Sequence, residues 1–116
     1  MREYVTSASH TGLRPAAPDA LVGPWTGERG PAAFDRQLAQ ADQRHTDDIQ
    51  PLYPTIGLPV TVCRGTEDTW IPFAKGRQLA VLIPGARLRP VPDAGHLLPL
   101  DAPARPASEV LAFLTS

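Results

Sequence analysis

At 116 residues the chain can form one small domain, and it is too short for the larger layered folds. A net charge of -1, with 42% hydrophobic and 20% charged residues, is ordinary globular composition without a basic field, which argues against nucleic-acid and anionic-membrane partners. Fourteen prolines, against a usual share of about 5%, demand short elements joined by stiff turns.

Residues 1 to 30 carry Gly12, Pro15, Pro18, Gly23, Pro24, Gly27 and Gly30 without a sustained apolar period, and they read as loop with at most one short helical turn. Pro31 then stands at a first helical position, and Phe34, Leu38, Ala41, His45 and Ile49 follow at steps of three or four. The spacing predicts a helix over about 31–49, ended by Pro51 and Pro54. His45, on its apolar stripe, reads as a packed, hydrogen-bonded residue.

Leu58-Pro59-Val60-Thr61-Val62-Cys63 is short, β-branched and apolar on both faces, the pattern of a strand buried in a parallel sheet, with Gly65 closing it. A helix over Phe73 to Ile83 follows and stops at Pro84-Gly85. Arg87-Leu88-Arg89-Pro90-Val91 is a second extended run, placed at an edge because Pro90 lacks a ladder donor. The last helix ends in Val110-Leu111-Ala112-Phe113-Leu114, with Pro106 assigned to its first turn. This order, helix, strand, helix, strand, helix, favours a parallel α/β arrangement. Two strands leave edges and faces open, so the sheet is incomplete by itself.

The lone Cys63 excludes an internal disulfide framework, and the N-terminal residues lack the apolar core of a secretory signal, so a reducing cytoplasm is the expected compartment. The longest aliphatic run, Leu79 to Ile83, is far short of the roughly 20 residues that span a membrane. No His-x-x-x-His or Cys-x-x-Cys spacing occurs, and neither a metal nor a cofactor is implied.

Chemistry concentrates in two loops. Gly65-Thr66-Glu67-Asp68-Thr69-Trp70-Ile71-Pro72 follows the first strand, and Pro92-Asp93-Ala94-Gly95-His96 follows the second. Both leave the carboxyl ends of neighbouring strands, where open α/β sheets hold ligands. An aspartate that accepts the Nδ1 proton of an imidazole fixes its tautomer and leaves Nε2 to act as a general base. The expected geometry puts the Asp68 carboxylate about 3 Å from His96 Nδ1, or one water away.

Those two loops, with Val60 to Gly65, Pro84 to Arg87 and the upstream helix Ala33 to Arg44, closely resemble the α/β-hydrolase superfamily over essentially all of the chain after residue 20. The resemblance implies a cap-region end in residues 1–56 and the C-terminal βαβα portion of the hydrolase core in 57–116. It also implies a triad in which Asp68 is the acid and His96 the base, acting on an ester, amide or related bond of a small-molecule substrate. The family's nucleophile lies in a Gly-x-Ser-x-Gly elbow between strand and helix. Here the one Gly-x-x-x-Gly, Gly23 to Gly27, has Trp25 at its centre, and Ser7, Ser9, Ser108 and Ser116 follow no strand. The implied hydrolase therefore lacks its nucleophile within this sequence, and an N-terminal complementing segment encoded upstream is expected to supply it. A non-catalytic remnant or binding fragment is the rival from another class.

Blander roles stand beside these. Asp68 can serve as a turn residue before the helix from Phe73, Glu67 is its neighbouring rival, and His96 can be a satisfied loop histidine. Trp25 and Trp70 can fill a core or wall an apolar substrate pocket. Cys63, in a buried strand, reads as a small hydrophobe.

Overall fold

A computed structural model describes residues 1–115. Two parallel strands, β1 (Thr61–Gly65) and β2 (Arg87–Val91), pair in register from Thr61 opposite Arg87 to Gly65 opposite Val91. The pairing starts one residue earlier, where the Arg87 amide donates to the Val60 carbonyl at 2.9 Å. Helix α5 (Phe73–Leu82) connects them, as the βαβ reading required.

Alternation along β1 sends its side chains to two different helices. Val62 and Arg64 face Gly76, Leu79 and Leu82 of α5, while Thr61 and Cys63 face Glu109, Val110 and Phe113 of α7 (Ala104–Leu114). Helices on both faces are what an apolar parallel strand needs. Arg89 of β2 holds α7 by an ion pair with Glu109 at 3.4 Å. Pro106 is the third residue of α7, in the first turn as expected, and a single turn, α6 (Leu98–Asp101), precedes it. Cys63 is a free, half-buried thiol whose pKa is pushed up, first by burial and then by the Glu109 charge, in keeping with an inert packing residue.

The N-terminal third corrects the sequence reading. Residues 1–30 contain two helices, α1 (Arg2–Ser7) and α2 (Ala17–Thr26). Pro18 sits in the first turn of α2, where its missing donor costs nothing, and Pro24 forgoes a bond only near the helix end. Packing overrides the glycines and prolines, because Pro18, Val22 and Ala8 are buried.

The helix expected over 31–49 is broken. It becomes α3 (Gly30–Ala39), α4 (Arg44–Asp47) and a 3₁₀ turn over Gln50–Thr55 that takes in Pro51 and Pro54. Two causes act together. The Asp42 carboxylate accepts the Arg44 amide at 3.0 Å, a local bond that competes with helix continuation. Beyond Phe34 the stripe also loses its cover: Leu38 and Ile49 are about half exposed, and His45 is exposed rather than packed.

The core is thin. Val62, Ile83, Val91 and Ala94 are buried beside the sheet, but among the described residues no large side chain is fully enclosed. No described helix is long and apolar enough to cross a membrane.

Candidate active site

Where β1 ends, the acid loop keeps pairing with the chain beyond β2. The Thr66 amide donates to the Val91 carbonyl and the Glu67 amide to the Ala94 carbonyl, each at 3.0 Å. Close approach makes Gly65 necessary here, since a Cβ would stand 2.2 Å from the Ala94 carbonyl oxygen and 2.5 Å from that of Gly95. The acid and histidine loops therefore lie backbone against backbone.

Asp68 is 7% exposed. Its Oδ1 accepts the amides of Trp70 and Ile71, both at 2.9 Å, which closes the loop. Its Oδ2 lies 3.1 Å from His96 Nδ1 and 2.9 Å from Arg64 Nη2. The turn-forming and histidine-facing roles thus fall to separate oxygens of one carboxylate. Burial pushes the Asp68 pKa up, but the Ile71 amide, the His96 ring, the Trp70 amide and the Arg64 guanidinium outweigh it and hold the group below the ordinary carboxylate value. An ionised carboxylate can only accept, so the shared proton belongs to Nδ1 and the neutral ring keeps a lone pair on Nε2.

Trp70 lies flat against the imidazole, with ring centroids 5.0 Å apart and planes at 29°. Tyr4 of α1 also packs against the indole, with ring centroids 4.2 Å apart and planes tilted by 35°, and the indole N–H donates to Ser7 Oγ at 3.3 Å. Trp25 stands elsewhere, on α2, with its ring edge-on to Phe34 of α3 at 5.6 Å. Of the four residues singled out from sequence, Asp68, His96 and Trp70 come together and Trp25 packs between helices. Glu67 is exposed and accepts only the neighbouring Thr66 hydroxyl, at 3.0 Å.

Two further residues belong to this neighbourhood. Arg64 spans from Asp68 to the Ile71 carbonyl, 2.6 Å from Nη2, bracing the acid loop from the end of β1. Asp101, at the end of α6, accepts the Ser9 and Thr11 hydroxyls, the His10 amide at 2.9 Å and the Gly95 amide at 2.7 Å. Burial pushes Asp101 up, yet the Ser9 hydroxyl, the His10 and Gly95 amides and the Thr11 hydroxyl bring it below its usual value. Arg64 was missed in the sequence, where its four-residue spacing to Asp68 is the one signal that could have marked it, whereas nothing local marks Asp101, whose serine partner is 92 residues away. Among the described residues no group of three His, Cys, Asp or Glu side chains converges to hold a metal. Ser7, Ser9 and Ser108 all lie outside any strand-to-helix turn, and Ser116 is outside the described residues.

Both lowered carboxylates make stability acid-sensitive. A group whose folded pKa lies below its unfolded value binds more protons when unfolded, so its contribution is present above about pH 4 and is lost as pH falls through the folded values. Urea midpoints measured from pH 6 down to pH 2 should therefore fall steeply at the acid end, and Asp68→Asn should flatten that decline. An equal slope in the variant would show that Asp68 is not stabilised as an anion.

The fold and site define an α/β protein that carries a carboxylate-oriented histidine at the carboxyl ends of two parallel strands. No family model matches the sequence. A Mycobacterium tuberculosis protein named as a non-heme bromoperoxidase, BpoC, is 35% identical over 66 residues, covering 57% of this chain and 25% of that protein. The crystal structure of an α/β hydrolase fold protein from Burkholderia ambifaria aligns with a TM-score of 0.90 at 36% identity, over 96% of this chain and 41% of that one. A thermophilic esterase from Thermogutta terrifontis aligns at 31% identity with a TM-score of 0.56, over 59% of this chain and 25% of its own. The chain is an α/β-hydrolase-fold protein that spans less than half the length of these relatives.

Proposed function

We propose that Asp68 and His96 are the acid and base of a hydrolase triad whose nucleophile is contributed by a complementing segment, N-terminal in the family's chain order, outside these 116 residues. The observation that carries this reading is the 3.1 Å contact between His96 Nδ1 and Asp68 Oδ2, which leaves Nε2 as the basic nitrogen. A serine hydroxyl placed at Nε2 would attack the carbonyl carbon of an ester or amide while His96 takes its proton. The imidazolium, stabilised by Asp68, would then return that proton to the leaving alcohol or amine. Water repeats the cycle on the acyl-enzyme. The esterase name borne by the Thermogutta terrifontis relative supports an ester substrate, and Trp70 supplies an apolar wall next to the base. Exposed Val110, Leu111 and Leu114 on α7, and a sheet of only two strands, fit a chain that packs against further structure.

The purified chain should hydrolyse p-nitrophenyl acetate no faster than its Asp68→Ala and His96→Ala variants, because among the described residues no serine hydroxyl is hydrogen-bonded to His96. A rate about tenfold above both variants would place the nucleophile inside the chain and overturn this reading.

A further inference from the structure

The histidine loop is held from two sides. Towards β1 it is tied to the acid loop by the Glu67 amide on the Ala94 carbonyl. On the opposite side it meets the N-terminal segment, where the Leu97 amide donates to the Ala8 carbonyl at 3.1 Å. Gly95 is pressed there so closely that a Cβ would lie 2.9 Å from both the Ala8 carbonyl oxygen and the His10 nitrogen, and 3.2 Å from Asp101 Oδ2. Asp101 stands at this junction with one oxygen, Oδ2, shared by the Gly95 and His10 amides, and the other, Oδ1, taken by the Ser9 and Thr11 hydroxyls. Two amides and two hydroxyls thus converge on one half-buried carboxylate that the acid–base reading does not use. The same N-terminal segment carries Tyr4, whose ring packs against Trp70, the residue stacked on the His96 ring.

We propose that Asp101 is a positioning residue: its carboxylate latches the histidine loop, through the Gly95 amide, to residues 9–11, and thereby fixes His96 between Trp70 and Asp68. Its importance for catalysis rests on reading His96 as the base, but the latch itself does not. Asp101→Asn would keep one carbonyl oxygen for the two amides and could donate its NH₂ to the Ser9 and Thr11 hydroxyls, which accept as well as donate, so Asp101→Ala is the substitution that removes the latch.

The test is amide hydrogen exchange and the His96 Nδ1–H resonance, followed by NMR on the full chain. Asp101→Ala should lower protection at Gly95 and Leu97 by about tenfold and abolish the imidazole resonance, while protection in α7 stays unchanged. Loss of protection at His10 alone, with Gly95 and the His96 resonance intact, would overturn the proposal. So would an unprotected Gly95 amide in the unsubstituted chain. Should Asp101→Ala lose its helical circular dichroism, Ser9→Ala serves instead: it removes one of the four donors and should lower Gly95 protection about threefold, and an unchanged Gly95 would again overturn the latch. None of these readouts needs turnover, so failure of the latch and failure of the hydrolase reading are separately visible.

Discussion

Replacing Gly65 with alanine should destabilise the chain by about 3 kcal/mol and separate the acid and histidine loops. The added methyl would sit 2.2 Å from one backbone oxygen and 2.5 Å from another, and both belong to the loop that ends at His96. Neither oxygen can swing aside like a side chain, because the Ala94 carbonyl accepts the Glu67 amide and Gly95 is fixed by Asp101. Relief must come from moving the histidine loop bodily away from β1. That movement lengthens the 3.1 Å contact between His96 and Asp68, so geometry is lost along with stability. Gly57→Ala is the control: a Cβ there meets nothing within 4 Å, and the substitution should be neutral or mildly stabilising by less than about 1 kcal/mol through the unfolded chain. Urea denaturation of the two variants checks the contrast. A Gly65→Ala chain within about 0.5 kcal/mol of the parent would mean that the two loops are not packed backbone to backbone.

What could be read from the sequence divides along physical lines. The strands were legible because Leu58 to Cys63 and Arg87 to Val91 are short extended runs next to glycine and proline; β2 covers Arg87 to Val91 as expected, while β1 is shifted along the chain to Thr61–Gly65 and takes in the glycine expected to close it. The Asp68 and His96 pairing was legible because a parallel βαβ unit brings both loops to one end of the sheet. Helix α2 was not, since its prolines and glycine argue for loop, and neither was α1, a six-residue stretch whose contacts come from far along the chain, with Tyr4 against Trp70 and the Ala8 carbonyl accepting the Leu97 amide. The split of the long helix was hidden for the opposite reason: Phe34 to Ile49 has helical spacing, but spacing cannot reveal that Leu38 and Ile49 find no surface to cover. Gly65 was visible only as a strand stop, and the steric demand on it appears when the Ala94 carbonyl arrives from another loop. Asp101 shows the same limit, because its donors come from Ser9, His10 and Thr11.

The reading of Asp68 and His96 as acid and base is tested most directly by giving them a nucleophile. The Thermogutta terrifontis esterase shares 31% identity over 59% of this chain, so the matched part of this chain can be grafted onto it in place of its counterpart. Initial rates of p-nitrophenyl acetate hydrolysis are then compared for the graft and for its His96→Ala and Asp68→Ala variants. A working triad loses about three orders of magnitude or more in kcat when its histidine is removed, and His96→Ala should fall by that amount. Asp68→Ala should fall by at least about a hundredfold, because the imidazole loses its orienting acceptor. A folded, hydrolytically active graft whose rate is unchanged by either substitution would contradict the assignment of Asp68 and His96 as the acid and base.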